Sequence, residues 1–543
     1  MRFTKEVKPN LHRAERLFFF RPVFFTALFL CLGIAFAYWM RFSHVSSFWL
    51  LLGFPLLFIV CASSGADSLF KNAVIISLCL IGFFVGFLSL EKQLDDFIDT
   101  PTYTEERIVQ GTLIQNNVYG ELTVFKLSDL YIDGERTEGE LTSYLSTSYA
   151  EKYQIGDKLL LRGETLTDVE FFDKYGFRAE DIKTKSRYYI RDVEVVKTGE
   201  SNNPFLRVRE RIREVVYAGM DEDAAAITLG VLLGDTSGIA EDLYDNIRFG
   251  GIAHIFAVSG LHVGALFAFC MLLVKKTRGK IPKPIRFFLV AFVLAFYAGV
   301  CGFSSSVVRA SVICLTFYAF SLCRLHADFL ERLGFAALLI LFFNPVALFE
   351  VGFQLSFLAC LGLALFASPI QKGLNRLLSG KVVDPKADDK PLGVLARIKS
   401  GGISLFSLSI AAQTFTAPVM MKHFSYLSGW GLLLNILFVP LISAVFSLLL
   451  LLVLIACALP LWCSTVLLFA PNAIFHALLL LFEIFDFSTF AITGLNLTGG
   501  GLVCWGVGTT VLSDKCNLRA WQKGIISALF LSVFLFSTVF VNL

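Results

Sequence analysis

Two histidines, one serine and three glycines punctuate the apolar run "GIAHIFAVSGLHVGAL" at 251–266. Ser259 and His262, three residues apart, are the raw material of a nucleophile and its base. An intramembrane serine hydrolase would need its histidine from a different helix. His254 and His262 have no adjacent carboxylate or thiolate to complete a metal site, so no metal is expected. No GxxxxGK[ST] loop exists to hold nucleotide phosphates, and the seven histidines are scattered. The residues therefore exclude ATP-driven work, and no cofactor is expected. Gly250, Gly251 and Gly260 instead predict a broken helix. Non-helical backbone at membrane depth is tolerated only when buried in protein or lining water. The two readings left open are a satisfied packing joint and a polar path.

Three more clusters share this character. "YAGVCGFSSSVVRA" places Ser304 and Ser305 at the start of a span, with Arg309 soon after. Serine hydroxyls there are expected to cap a helix N-terminus, whose free N–H groups favour anions. Arg309 is a fixed positive charge for a phosphate, or else it is paired with Glu331, Glu350 or a carbonyl. "NPVALFEVGFQLSFLACLGL" sets Glu350 and Gln354 four apart, which predicts one helical face. "AAQTFTAPVMMKHFSYLSGWGLLLNILFVP" carries Gln413, Lys422, His423 and Asn435, with Pro418 and Pro440 expected to kink its spans. Ionisable groups inside a span cost about 2.5–3.5 kcal/mol each, so they need a local reason. With "LLGDTSG", the expected translocation path comprises Asp235, Arg248, His254, Ser259, Gly260, His262, Ser304, Ser305, Arg309, Gln354, Gln413 and Asn435. Lys422 and His423 are expected at the outer interface, where snorkelling is an adequate account.

The elements that must position these residues follow from composition. Of 543 residues 56% are hydrophobic, with 56 phenylalanines, and the mean hydropathy is +0.68. A polytopic α-helical membrane protein is the class that fits. About thirteen spans are expected, near 22–40, 47–63, 72–90, 252–274, 286–301, 303–323, 330–343, 349–368, 402–421, 429–452, 464–484, 498–512 and 524–542. The twelve cysteines include no CxxC pair and are read as small buried apolar residues. Five units follow: an N-terminal membrane segment with three spans (1–90), a β domain (91–200), amphipathic and re-entrant helices (201–250), a channel core (251–455) and C-terminal spans (456–543).

Residues 91–200 alternate apolar and polar side chains between turn signals, as in "GELTVFKLSDLYIDGE". That pattern predicts about five short strands, as in a small OB-like all-β barrel or a sandwich. The segment holds 23 Asp+Glu against 14 Lys+Arg, which makes it a poor general magnet for nucleic acid. Lys183, Lys185 and Arg187 beside Tyr188 and Tyr189 make a local basic strip, read either as a binding strip with stacking aromatics or as a β-edge with solvated charges. With the N-terminus inside, this acidic domain falls outside after three spans. The basic loops at 275–286, 371–400 and 513–523 then all fall inside.

At "LLGDTSG", "HIFAVSGLHVG", "GFSSSVVRA", "VGFQLSF" and "AAQTFTAPVMMKHFSYLSGWGLLLNILFVP" the chain resembles the ComEC family of competence proteins. The resemblance runs from about 215 to 443, and the N-terminal organisation is similar too. It implies a non-enzymatic channel in the bacterial inner membrane that imports single-stranded DNA during natural transformation, and makes Lys183, Lys185, Arg187, Tyr188, Tyr189, Lys422 and His423 the possible DNA contacts. The implied partners are an extracytoplasmic DNA receptor and a cytoplasmic helicase-like ATPase. Many members carry a C-terminal metallo-β-lactamase-like domain; the run "SALFLSVFLFSTVFVNL" stands here instead, so a form without that domain is expected. A transporter of another anionic polymer or lipid is the alternative.

Overall fold

The computed structural model of the chain describes residues 21–42, 69–98, 106–379 and 394–542, apart from 168–181, 183–187, 277–280, 514–519 and scattered shorter gaps. Helices α1 (Pro22–Phe42) and α2 (Leu69–Ile98) precede six strands, β1 (Glu106–Tyr119), β2 (Leu122–Ile132), β3 (Glu135–Thr137), β4 (Leu141–Ser146), β5 (Asp157–Thr167) and β6 (Tyr188–Glu200). There follow α3 (Pro204–Gly219), α4 (Glu222–Leu233), α5 (Glu241–Phe249), the single turn α6 (Ala253–Phe256), α7 (Gly260–Lys276), α8 (Lys283–Val300), α9 (Ser305–Leu322) and α10 (Phe329–Phe343). A 3-10 turn (Pro345–Phe349) leads into α11 (Val351–Ser379) and α12 (Val394–Phe424), and β7 (Tyr426–Ser428) connects to α13 (Gly431–Cys457). The chain continues through α14 (Trp462–Leu467), α15 (Phe469–Ile484), β8 (Ala491–Thr493), α16 (Gly499–Leu512) and α17 (Ala520–Asn542).

Seven helices among the described residues, α1, α2, α8, α9, α11, α12 and α13, are long and apolar enough to cross a bilayer. The chain is a polytopic helical membrane protein. The apolar stretches of α15, α16 and α17 are shorter, and the expected span at 47–63 lies outside the described residues. The expected span at 252–274 is two pieces, α6 and α7, because the chain leaves helical geometry between them.

Glycines set how the first helices pack. The backbone of α1 at Thr26 would lie 2.7 Å from a Cβ at Gly82, and Leu30 O is closer still to Gly86. Gly33 is pressed in turn onto Phe83 O. Contacts that advance together, 26 with 82 and 30 with 86, mean that α1 and α2 run parallel. Gly82 and Gly86 form a small-xxx-small pair that lets two backbones touch. α2 also outruns its expected end at residue 90. Leu90, Leu94 and Phe97 keep a buried stripe going through the charged stretch, and Arg41 pairs with Glu91 and Asp95.

The strands form a ring. β1 pairs with β2 and with β5; β5 pairs with β6; β6 runs parallel to β4; and β4 returns to β2. The apolar alternation becomes the interior, with Val109, Phe125, Leu127, Leu159, Leu161 and Ile190 fully buried. Asp133–Gly134, both at positive φ, make the tight β2–β3 turn. Arg107 donates to Asp133 at 2.7 Å, and this bond holds the Asp133 carboxyl below its ordinary range. Lys183, Lys185 and Arg187 lie outside the described residues. Tyr188 and Tyr189 begin β6, but their side chains are also outside the description.

α3 starts where the sequence predicts it. Asn203 caps it by accepting from Phe205 N at 3.0 Å, and Pro204 stands at its first position. α4 is only 12 residues long and ends at Gly234 with φ +73. It is buried on all sides from Ala224 to Leu233, so it is an interior helix.

Candidate functional site

The core of the membrane part is interrupted twice, and the two interruptions touch. The first is Gly250–Val258, between α5 and α7. Gly251 has φ +73, and a Cβ there would meet Ser428 Cβ and Oγ at 2.8 Å and Gly431 Cα at 3.0 Å. Only glycine fits, by backbone conformation and by space. The second is Ser425–Trp430, between α12 and α13. Ser425 at φ +56 ends α12 in a left-handed reversal. Gly431 then packs against Gln413: Nε2 would lie 3.4 Å from its Cβ. Gln413 precedes the end of α12 by eleven residues, about 16 Å along the axis. The connection therefore folds back along α12, and β7 is extended backbone beside a candidate span.

This fold-back is polar and aromatic. Ser428 Oγ accepts from Gly431 N at 3.1 Å. Arg248, half-buried, lies 5.0 Å over the ring of Tyr426 and 3.6 Å from Asp245. β7 pairs with β8. Asn246 fixes the far side, donating to the carbonyls of Phe482 and Phe485 at 2.7 and 2.9 Å and accepting from Phe487 N at 2.9 Å. Asn435 enters the next turn of α13, and its Oδ1 is buried without a hydrogen-bond partner among the described residues.

A second centre sits at the start of α9. Arg309 is buried and its Nη1 lies 3.2 Å from Glu350 Oε2. Nη1 also donates to Ser305 Oγ at 2.6 Å, and Ser305 Oγ donates to the same Glu350 oxygen. Gly352 leaves room for the guanidinium, since a Cβ there would lie 2.5 Å from Nη2. Of the partners open to Arg309, the structure selects Glu350; Glu331 instead accepts from Phe24 N. The expected serine cap is absent. Ser304 is the N-cap residue but makes no side-chain capping bond. Ser306 reaches across to Val258 O at 2.6 Å, tying α9 to the first interruption. Glu350 and Gln354 do not share a helical face, because α11 begins only at Val351. Gln354 donates to Leu348 O at 3.1 Å.

Asp235 forms a third centre. It is buried at the end of the α4 turn and accepts from Arg213 at 2.7 Å, with Arg209 at 3.7 Å. Two basic residues of α3, Arg209 and Arg213, are thus turned inward onto Asp235. Burial raises the neighbouring Glu210 carboxyl above its ordinary value, against the pull of Arg213. Arg211 donates to the carbonyls of Cys457 and Leu459. Nothing in sequence spacing pointed to these arginines beyond their place on the polar face of α3.

The remaining expected residues divide. His262 is fully buried with its ring stacked on Phe446, centroids 4.6 Å apart. His254 is exposed on α6, and Gly260 opens α7 against Ala310. Lys422 and His423 are exposed at the end of α12. Ser259 lies outside the described residues. Arg248, Gln413 and Asn435 gather at the fold-back, while Ser304, Ser305 and Arg309 gather at the ion pair. Sequence reading missed Ser428, Gly431, Tyr426 and Asn246; "SGWG" after the helix was the available signal for the first two.

The chain spans about a quarter of the length of a relative from Bacillus subtilis (strain 168), ComE operon protein 3. The two are 26% identical over 238 residues, which is 43% of this chain and 27% of that protein. No solved structure matches. Residues 231–515 match the family described as Competence protein, a stretch containing the fold-back, the Arg309–Glu350 pair and Asp235, but not the α3 arginines that meet Asp235. That match covers more than half of its length, and the chain belongs to the competence protein family.

Proposed function

We propose that the chain forms a passive route by which single-stranded DNA crosses the bacterial cytoplasmic membrane during transformation. The observation that carries this reading is the pair of touching interruptions, Gly250–Val258 and Ser425–Trp430, inside a bundle of apolar helices. Backbone of this kind needs protein or water around it, and the groups beside it, Arg248, Gln413, Asn435 and Ser428, suit a charged, hydrogen-bonding polymer. Weak and dispersed contacts let such a polymer move rather than stall. Phosphates would meet arginine and N–H groups, and bases would meet apolar or aromatic faces. The chain has no nucleotide-binding loop, so the force comes from a cytoplasmic helicase-like ATPase, and an outer receptor delivers the strand.

The β ring supports an OB-like assignment. With the three-residue β3 set aside, its closed order runs first, second, third, fifth, fourth, with the third and fifth strands parallel. Its acidic balance favours scaffolding or docking of the receptor over general capture of DNA. Because α1 and α2 run parallel, an N-terminus in the cytoplasm puts the β domain outside. A reporter inserted at 138–140 is expected to be active only on the outer side; cytoplasmic activity would invert the topology.

Deleting the gene in a transformable host tests the function. Uptake of labelled DNA into the cytoplasm and the yield of transformants are both expected to be lost, and plasmid-borne wild type to restore them. Normal transformation in the deletion strain would remove the proposal.

A further inference from the structure

Resting on that reading, we propose that the corner of Ser304, Ser305 and Arg309 is a phosphodiester-binding site whose resident anion is Glu350, and that an incoming phosphate displaces this carboxylate. Glu350 Oε2 accepts from Ser305 Oγ and from Arg309 Nη1, the donors a phosphate oxygen would use. The corner holds more donors than the carboxylate consumes. Arg309 Nε and Ser304 Oγ are buried without a hydrogen-bond partner among the described residues, although the Arg309 side chain is only 4% exposed. α9, 18 residues long, begins here without a side-chain cap, which leaves its first N–H groups facing the same place. A phosphodiester carries two anionic non-bridging oxygens and two ester oxygens, enough to engage what Glu350 leaves over.

The geometry also lets the carboxylate leave. Glu350 has extended backbone between the 3-10 turn and α11, with φ −66 and ψ 126; its N–H is held by Ala347 O and its carbonyl by Gln354 N, both at 3.1 Å, so the carboxylate leaves by side-chain rotation. Gly352 brings the α11 backbone against the guanidinium, so Arg309 is held in place while the Glu350 carboxylate is free to swing on its side-chain bonds. Ser306 fastens the same turn of α9 to Val258 in the interruption. Exchange of anions at Arg309 is thereby coupled to the polar break, and Glu350 acts as a built-in plug that keeps the empty route closed to small anions.

The full chain in liposomes tests this with chloride flux. Glu350→Gln keeps an acceptor for Ser305 but removes the charge. It is expected to raise chloride leak roughly tenfold over wild type, with chloride favoured over potassium. The double variant Arg309→Gln/Glu350→Gln is expected to lose that preference, and it guards against misfolding because no lone charge remains buried. A single variant as tight as wild type, or a double variant leaking chloride like the single, overturns the plug. In the wild type, leak raised by a single-stranded oligonucleotide in phosphatidylcholine vesicles identifies the strand as the source of the phosphodiester. Leak without oligonucleotide, present in phosphatidylglycerol but not phosphatidylcholine vesicles, identifies a lipid headgroup. No response to either overturns the exchange. An anion-selective Glu350→Gln leak in a protein whose deletion spares transformation would sink the DNA route and leave the anion site standing.

Discussion

Arg309→Ala is expected to cut DNA uptake about a hundredfold or more while the protein still inserts in the membrane. Breaking one side of a buried ion pair costs about 3–5 kcal/mol, because the other charge is left without compensation. Here that charge is Glu350, 12% exposed and deprived of its arginine. Loss of folding and loss of function are separable. Arg309→Met/Glu350→Met removes both charges and is expected to recover membrane abundance and thermal stability, because an apolar pair of similar volume replaces the ions. Uptake stays lost in the double variant, since no cation remains to meet a phosphate. Wild-type uptake by the double variant would return Arg309 to a packing role. Arg309→Lys is expected to be intermediate: it keeps the charge, but a single ammonium cannot reproduce the planar donors now shared between Ser305 and Glu350.

Gly251→Val is expected to be the most damaging single change at the fold-back. The backbone there has φ +73, and the new side chain would strike Ser428 and Gly431. Left-handed backbone costs a non-glycine residue about 1–2 kcal/mol. Overpacking adds about 1–3 kcal/mol, and a β-branched residue is the least suited to that conformation. The colliding atoms are backbone and short side chains, which cannot swing aside. The measurable result is early aggregation on heating in detergent and protease cleavage near 425–430. Unchanged melting would mean that the two interruptions do not touch.

The sequence exposes the first interruption more readily than the second. Gly250, Gly251 and Gly260 announce a broken helix in plain composition, and the structure breaks there. β7 has three residues and no alternation to read, and its reversal depends on Ser425 taking a positive φ that serine rarely adopts. Arg309 stands out as a costly charge in an apolar span. Its partner is 41 residues away in the chain, so only tertiary packing chooses Glu350 from among the available carboxylates. The serines next to it are legible as polar, but their bonds run to other elements instead of back to their own helix. In the β domain, alternation marks the interior residues, while ring closure depends on the pairing of β1 with both β2 and β5. The overrun of α2 went unseen because the charges at 91–96 mask the buried stripe of Leu90, Leu94 and Phe97.

Water at the fold-back is the claim on which the rest depends, and cysteine accessibility measures it directly. In a background with every native cysteine replaced, Gln413→Cys and Asn435→Cys are each made in the full chain and reconstituted in liposomes. A charged, membrane-impermeant thiosulfonate reagent is then added, with and without a single-stranded oligonucleotide. The account predicts labelling at both positions, faster than at the lipid-facing control Phe292→Cys, and slowed by the oligonucleotide. If neither position reacts from either side of the membrane, the fold-back is dry packing and carries no strand.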